Sequence, residues 1–487
     1  MMTYKNLFRF NKQMDILKQA IIVGEESLKE SVFEKVGKPT ILNNALFDNP
    51  NWWKPSANGK KRIMLCGTYP IGTSNGYSKV VYYISKYLGQ YDDIELTVYG
   101  FQNFANTQGA AIRSDIPATV KIHDAYATEN PKRNGFGELE ISKFLKENPQ
   151  DVIIIFNDNI VTSALAKNIM NDCGSQKHNF RLISYMDQVY PYQKKEYIEL
   201  LNKYFDGIIA FTPYWAGIAR KLGIKESMPM YVFPHGFDTR LYFPIPMNIS
   251  RMYFNYDQNA FMILNINRNQ PRKCWDTTMI AWVEFVERHY QVNVKNKKGD
   301  FKVNKHTKRP VRLVVGTQMD GYWDLMDVVE NEVKFRDVPL EYVKETILPV
   351  SNPQQLSDRE INILYNACDV GLNTANGEGH GLGSSEMCGL GKPQIAPLLG
   401  GLQEFLNDQF ATLIRPVTSI YLDNKGKGIG GKAELTSAHD YAEAFWKYFS
   451  NPELAEKHGK RGRENILTNY RWEQLCEYFY KVVVTKL

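Results

Sequence analysis

Cysteine and histidine are scarce in this chain, and neither is clustered. Its six cysteines (Cys66, Cys173, Cys274, Cys368, Cys388, Cys476) are scattered over 487 residues with no Cys-x-x-Cys pair. That excludes a disulfide framework and the common zinc spacings, and it fits reduced thiols in a cytosol-like compartment. The eight histidines show no His-Glu-x-x-His or other paired spacing, and Asp-x-Asp occurs nowhere. A resident metal is therefore not expected. No run approaches the roughly 18 apolar residues of a membrane span, and the first residues lack the basic-then-apolar order of a secretion signal. A cytoplasmic chain is expected, with any membrane contact peripheral. Large charge excess is missing too: the net charge of +6 admits anionic ligands without implying nucleic acid.

What is present is ordinary for a folded protein, with 43% hydrophobic and 23% charged residues. At 487 residues the chain exceeds what one core supports, so two domains are expected. Residues 1–60 read as an extension in which Phe10, Met14, Leu17 and Ile21 recur at helical spacing among basic residues. That stripe suits a helix packed on the first domain or one lying at a membrane surface.

From Arg62 onward, short apolar runs alternate with amphipathic stretches. Strands are predicted at RIMLC (62–66), ELTVYG (95–100), VIIIF (152–156), RLISYM (181–186), GIIAF (207–211) and MYVF (230–233). A Pro-containing polar stretch, FPIPMNISRMYFNYDQN, reads as a linker, after which the pattern restarts at FMILNI (261–266), VRLVVG (311–316), ACDVGLN (367–373) and QIAP (394–397). Two successive βα series predict an α/β protein of two doubly wound, Rossmann-like domains facing a cleft, 61–248 and 249–460. Residues 461–487 are expected to form a helix packing back on the first domain. The basic stretch 291–310, with Lys295, Lys297, Lys298, Lys302, Lys305, Lys308 and Arg309, reads as a solvated hairpin or loop, with an anionic acceptor or a membrane surface as the sharper alternative. It lacks the aromatic interleaving of single-strand binders, so nucleic acid is not an expected partner.

The stretch richest in chemistry is NTANGEGHGLGSSEMCGLGKPQIAPLLGGLQE (373–404). Gly379, Gly381 and Gly383 let backbone approach a ligand, and a helix expected to start near Ser384 offers free N–H groups. Glu378 in the turn and Glu386, eight positions on, are expected on the rim of one pocket, where ionised carboxylates accept hydrogen bonds from a polyol. Glu386 could equally serve its own helix N-terminus. Arg268 and Lys273, five apart, follow a predicted strand, and read either as a solvated loop pair or as a guanidinium fork and an ammonium point charge facing a ligand. GKGIGGKA (426–433) imitates a phosphate-binding loop but ends in Ala433 where Ser or Thr would be needed.

The E-x7-E pair followed by GKPQIA and GG-x-x-E resembles the retaining, nucleotide-sugar-dependent glycosyltransferases of family 4, which have the GT-B fold. LYNACDVGLNTA (364–375), FPHGFDTRLYFP (233–244), NINRNQPRKCWD (265–276) and the looser CGTYPIGTSNGYSKVVYYISKYL (66–88) are similar to that family's landmarks, in order over about 62–480. The resemblance implies a metal-independent transfer of a hexose-type sugar from a UDP- or GDP-sugar to a glycan, lipid or protein-linked acceptor, with no further cofactor. It implies Glu378 on the donor sugar and Glu386 on the ribose. The amides of His380, Gly381 and Leu382 would contact the sugar, Gly76 would give close backbone approach, and Val350 would lie in the base-selecting loop. Arg268 and Lys273 would stabilise the departing diphosphate. The family often carries a His after a first-domain strand; here Met186-Asp187 stands in that neighbourhood, and Asp187 is the candidate acceptor base or polar contact. Asn157, Asp158 and Asn159 are further cleft-facing candidates or turn and cap residues. Front-face attack and double displacement through a carboxylate both remain open, as do a sugar-nucleotide epimerase of the same fold and a catalytically silent binding protein.

Overall fold

The computed structural model describes residues 59–487 except 73–74, 106–112, 296–302, 351–355 and 423–427. The helical stripe expected from Phe10 to Ile21 lies outside the described residues, as do Lys297, Lys298 and Lys302.

Two parallel sheets organise the chain. In the first, β1 (Lys61–Thr68), β2 (Ile94–Phe101), β3 (Lys121–Asp124), β4 (Val152–Asn157), β5 (Arg181–Met186), β6 (Gly207–Ala210) and β7 (Met230–Val232) are ordered 3-2-1-4-5-6-7. In the second, β8 (Phe261–Asn265), β9 (Val311–Val315), β10 (Ile347–Pro349), β11 (Val370–Leu372), β12 (Gln394–Pro397) and β13 (Ala411–Ile414) are ordered 10-9-8-11-12-13. The two orders match strand for strand over six strands, so each sheet reverses direction of winding once, beside its first strand. Ligands bind at such reversals, beyond the carboxyl ends of the strands. The apolar runs follow from burial on both faces: every residue of VIIIFN in β4 is buried. Apolar clusters cover both faces of each sheet.

The predicted linker contains the helix Met247–Phe254, and the expected boundary at 248/249 falls inside it. Arg251 ties that helix to the second domain through the Ala367 carbonyl (2.9 Å) and the Asp369 carboxylate (2.8 Å). At the end of the chain, the helix Trp472–Tyr478 and the residues after it bury Trp472, Leu475, Phe479 and Val483 in the core of the first domain.

One feature differs from the sequence reading, and a second agrees with it. The basic stretch does not begin as a loop, because the helix Trp275–Asn293 runs into it, and Lys305–Lys308 form a short 3-10 turn. The amide of Asn293 donates to the Thr307 carbonyl at 2.8 Å, and Arg309 lies over the rings of Phe261 and Phe449, so the stretch is pinned at both ends. The imitation phosphate loop ends in β15 (Gly431–Leu435), an antiparallel partner of β14 (Thr418–Leu422), with Lys432 opposite Tyr421. A strand where a helix N-terminus is required removes the phosphate cradle.

Candidate active site

Both sheets direct their carboxyl ends into one cleft of about 390 Å³. The first domain contributes Gly76 after β1, Asp187 after β5, Phe211 after β6 and His235 after β7. The second contributes Arg268 and Lys273 after β8 and Glu378 to Gly383 after β11.

Local sequence explains each placement. Asn75 caps the helix Gly76–Leu88: its side chain accepts from the Ser78 N–H at 2.8 Å, and the Asn75 N–H donates to Ser78 Oγ at 3.4 Å. Asn75-Gly76 is therefore a capping box with a bare first position. A Cβ on Gly76 would sit 3.2 Å from Leu382 Cδ1, so the two domains nearly touch there. In the second domain, Thr374 after β11 donates to the carbonyls of Lys273 (3.0 Å) and Cys274 (3.1 Å), and the Asn376 N–H donates to the Arg272 carbonyl at 3.0 Å. These bonds fix the turn that aims Arg272 and Lys273 at the loop after β11.

That loop is held from below by Gly400-Gly401. The Gly401 N–H donates to the Glu378 carbonyl at 2.9 Å, and a Cβ on Gly401 would lie 2.0 Å from the Gly379 carbonyl oxygen. Gly381 has φ +94 and opens the helix Leu382–Gly389, two residues earlier than expected. Trp215 of the first domain donates its indole N–H to the Gly379 carbonyl at 2.8 Å. Gly401→Ala is expected to displace backbone and to cost about 1–3 kcal/mol of stability, read from the denaturant midpoint. An unchanged midpoint would mean the loop is not clamped this way.

Electrostatics centre on Glu378. Lys273 Nζ lies 2.5 Å and Arg272 Nη1 3.3 Å from its Oε2, and Arg272 also donates to the Gly377 carbonyl at 2.7 Å. Burial alone would raise the Glu378 carboxyl, but Lys273 and then Arg272 outweigh it and hold the group below its usual range. Burial pushes the Lys273 ammonium down to about 8, against the opposing pull of Glu378. Arg268 is exposed on the cleft wall, and its guanidinium has no ion-pair partner among the described residues. Asp187 accepts from the Tyr77 hydroxyl, and burial raises its carboxyl despite that bond and the nearby Arg272.

Two imidazoles close the inner end. His235 and His380 have ring centroids 4.8 Å apart. Burial, reinforced by His380, drives His235 well below its ordinary value, and burial takes His380 to about 4. Both are neutral near pH 7.

The structure redistributes several expected residues. Glu378 and Glu386 do not share one rim. Glu386 faces an adjoining cavity of about 210 Å³ with Thr317, Tyr365 and Lys79, because the first turn of the helix Leu382–Gly389 stands between the two carboxylates. Arg268, Leu382 and Gly76 line both cavities. Val350 lines neither; its side chain is buried in the second-domain core and its N–H donates to the Val315 carbonyl at 3.0 Å. Asp158 caps the helix Asn159–Cys173 by accepting from the N–H groups of Ile160 and Val161, and Asn159 donates to Gln193 at 3.1 Å. Arg272, Tyr77, Lys79 and His235 join the site without being marked as site residues by the sequence. All four stand inside quoted motifs, Arg272 in 265–276, His235 in 233–244, and Tyr77 and Lys79 in the looser 66–88, but nothing local marks the partners that Tyr77 and Lys79 meet across the cleft.

No group of three or more His, Cys, Asp or Glu among the described residues is placed to hold a metal ion. No helix among them is long and apolar enough to cross a membrane.

No family model matches the sequence, and no curated protein matches it. Solved structures do match in fold. Sucrose-phosphate synthase from Thermosynechococcus elongatus superposes with a TM-score of 0.62 at 15% identity, over 87% of this chain and 98% of that one. Anabaena HepE in complex with UDP and glucose gives 0.60 at 13% identity, over 87% and 100%. WaaG, a glycosyltransferase involved in lipopolysaccharide biosynthesis, gives 0.56 at 13% identity, over 86% and 99%. The chain has the two-domain GT-B fold that these glycosyltransferases share.

Proposed function

We propose that the protein is a retaining, metal-independent glycosyltransferase that moves a hexose-type sugar from a UDP- or GDP-sugar onto the hydroxyl of a glycan, lipid or protein-linked acceptor. One observation carries the reading: Lys273, Arg268 and the glycine-rich loop at Glu378 meet at the carboxyl ends of β8 and β11, opposite the glycine loop after β1. A departing nucleotide diphosphate gains negative charge as the glycosidic bond breaks, and fixed cations stabilise it. Lys273 has two further donors beyond the one given to Glu378, and Arg268 offers an exposed fork. Glu378 accepts from donor-sugar hydroxyls, Glu386 from the ribose, and Asp187 from the acceptor. Crystals of HepE with UDP and with UDP-glucose support a nucleotide-sugar donor.

The test is incubation with UDP- and GDP-sugars, with and without EDTA, and NMR of the product. Transfer that survives EDTA and keeps the donor's anomeric configuration is expected. Inversion, or a requirement for metal, overturns the finer claim. An epimerised nucleotide sugar formed from donor alone overturns transfer itself.

The pH profile adds a second expectation. Burial, the largest cause, favours the neutral amine of Lys273, so the cation is lost as pH rises through about 8. kcat/KM, which reports the free enzyme, falls above that value. In Lys273→Arg the charge persists, and the alkaline limb moves beyond pH 10 or disappears. An identical limb in both proteins assigns it to another group.

A further inference from the structure

We infer that Lys79 is a positioning residue for nucleotide recognition, reaching from the first domain to hold Glu386 of the second, so that the ribose receptor is complete only when the cleft is closed. The inference rests on the donor reading above.

Lys79 lies on the helix Gly76–Leu88, one turn beyond the glycine loop, and is buried. Its Nζ donates to Glu386 Oε1 at 2.7 Å and to the Tyr242 hydroxyl at 2.5 Å, with Asp358 Oδ1 at 3.9 Å. The Tyr365 hydroxyl donates to the other Glu386 oxygen at 2.9 Å. A carboxylate has about four acceptor positions. Lys79 and Tyr365 take one on each oxygen, which leaves one on each for a diol, and Glu386 lines the smaller cavity with both of them. The ammonium is engaged by protein groups, so its role toward a nucleotide runs through Glu386.

The partners also divide by domain. Lys79 and Arg113 belong to the first, Glu386 and Asp358 to the second, and Arg113 Nε lies 3.2 Å from Asp358 Oδ2. Two cations face two anions across the cleft at low exposure, where attraction is screened less than at a surface. Separating the domains removes the only cation within salt-bridge distance of Glu386 among the described residues. The carboxylate then keeps Tyr365 alone and loses its fixed orientation. Ribose recognition and closure become one event.

The test is calorimetric binding of UDP and 2′-deoxy-UDP, and of GDP and 2′-deoxy-GDP, to the full chain. A hydroxyl bonded to a charged carboxylate is worth about ten- to a hundredfold in affinity, so wild type prefers the ribonucleotide by that factor. Glu386→Gln and Lys79→Met both bring the ratio to near one. Asp358→Asn weakens the same cross-domain cluster without touching Glu386. It lowers affinity for both members of a pair equally and keeps the ratio. A wild-type ratio in Lys79→Met with a lost ratio in Glu386→Gln overturns the inference and spares the donor reading. A ratio lost equally in Asp358→Asn also overturns it, because closure alone then accounts for Lys79. An unchanged ratio in Glu386→Gln, or no binding of either nucleotide by wild type, removes the donor reading and the inference with it.

Discussion

Lys273→Ala is expected to lose roughly thirty- to a thousandfold in transfer rate, about 2–4 kcal/mol of transition-state stabilisation. The loss should fall mainly on kcat, because charge on the diphosphate grows only as the sugar departs and an interaction made chiefly there lowers turnover more than binding. Burial sharpens the effect: the ammonium works where water screens little, and its nearest compensating charge is the single carboxylate of Glu378. Arg272 does not replace it, since Arg272 is already committed to the Gly377 carbonyl and Glu378. Steady-state kinetics on the purified variant would read this. Turnover equal to wild type would remove Lys273 from the chemistry.

Glu378→Ala should cost stability as well as activity. Deleting one member of a buried ion pair leaves the other uncompensated, at about 3–5 kcal/mol. Here the carboxylate faces two cations, Lys273 at 2.5 Å and Arg272 at 3.3 Å, and all three groups are largely withdrawn from solvent. Lys273, already lowered by burial, then loses the nearest charge that raises it and releases its proton more readily. The expected outcome is a clear drop in the denaturant midpoint together with an alkaline limb of any residual activity shifted to lower pH. A midpoint within experimental error of wild type would mean that this cluster is solvated enough to relax, contrary to its burial.

Much of the fold is legible because each central strand is buried on both faces. β4 and β8 carry unbroken apolar runs (VIIIF, FMIL), and β1 and β5 carry apolar cores (IMLC and LISYM, the latter with one buried Ser), which is why all four stand out in the sequence. The strands that the sequence does not mark lack that cause. All three are edge strands: β3 (KIHD) has no fully buried residue, β10 buries only Ile347, and β13 leaves Thr412 and Leu413 partly exposed. The hairpin of β14 and β15 is largely exposed on its first strand, so no alternation marks it.

The site divides in the same way. Gly381, Lys273 and Glu378 lie within one stretch of backbone or another that must turn sharply after a strand, and such turns show in sequence. Partners supplied from the other domain do not, because nothing local links Tyr77 to Asp187 or Lys79 to Glu386. Those contacts exist only once two sheets face each other, 110 and 307 residues apart in sequence.

Crystallography of the protein with UDP-glucose or GDP-mannose, whichever it binds, would locate the donor. The diphosphate should lie between Arg268, Lys273 and the N-terminus of the helix Leu382–Gly389, with the sugar toward Glu378 and the ribose toward Glu386. Density for the nucleotide outside this cleft, or a diphosphate out of reach of both cations, would contradict the assignment.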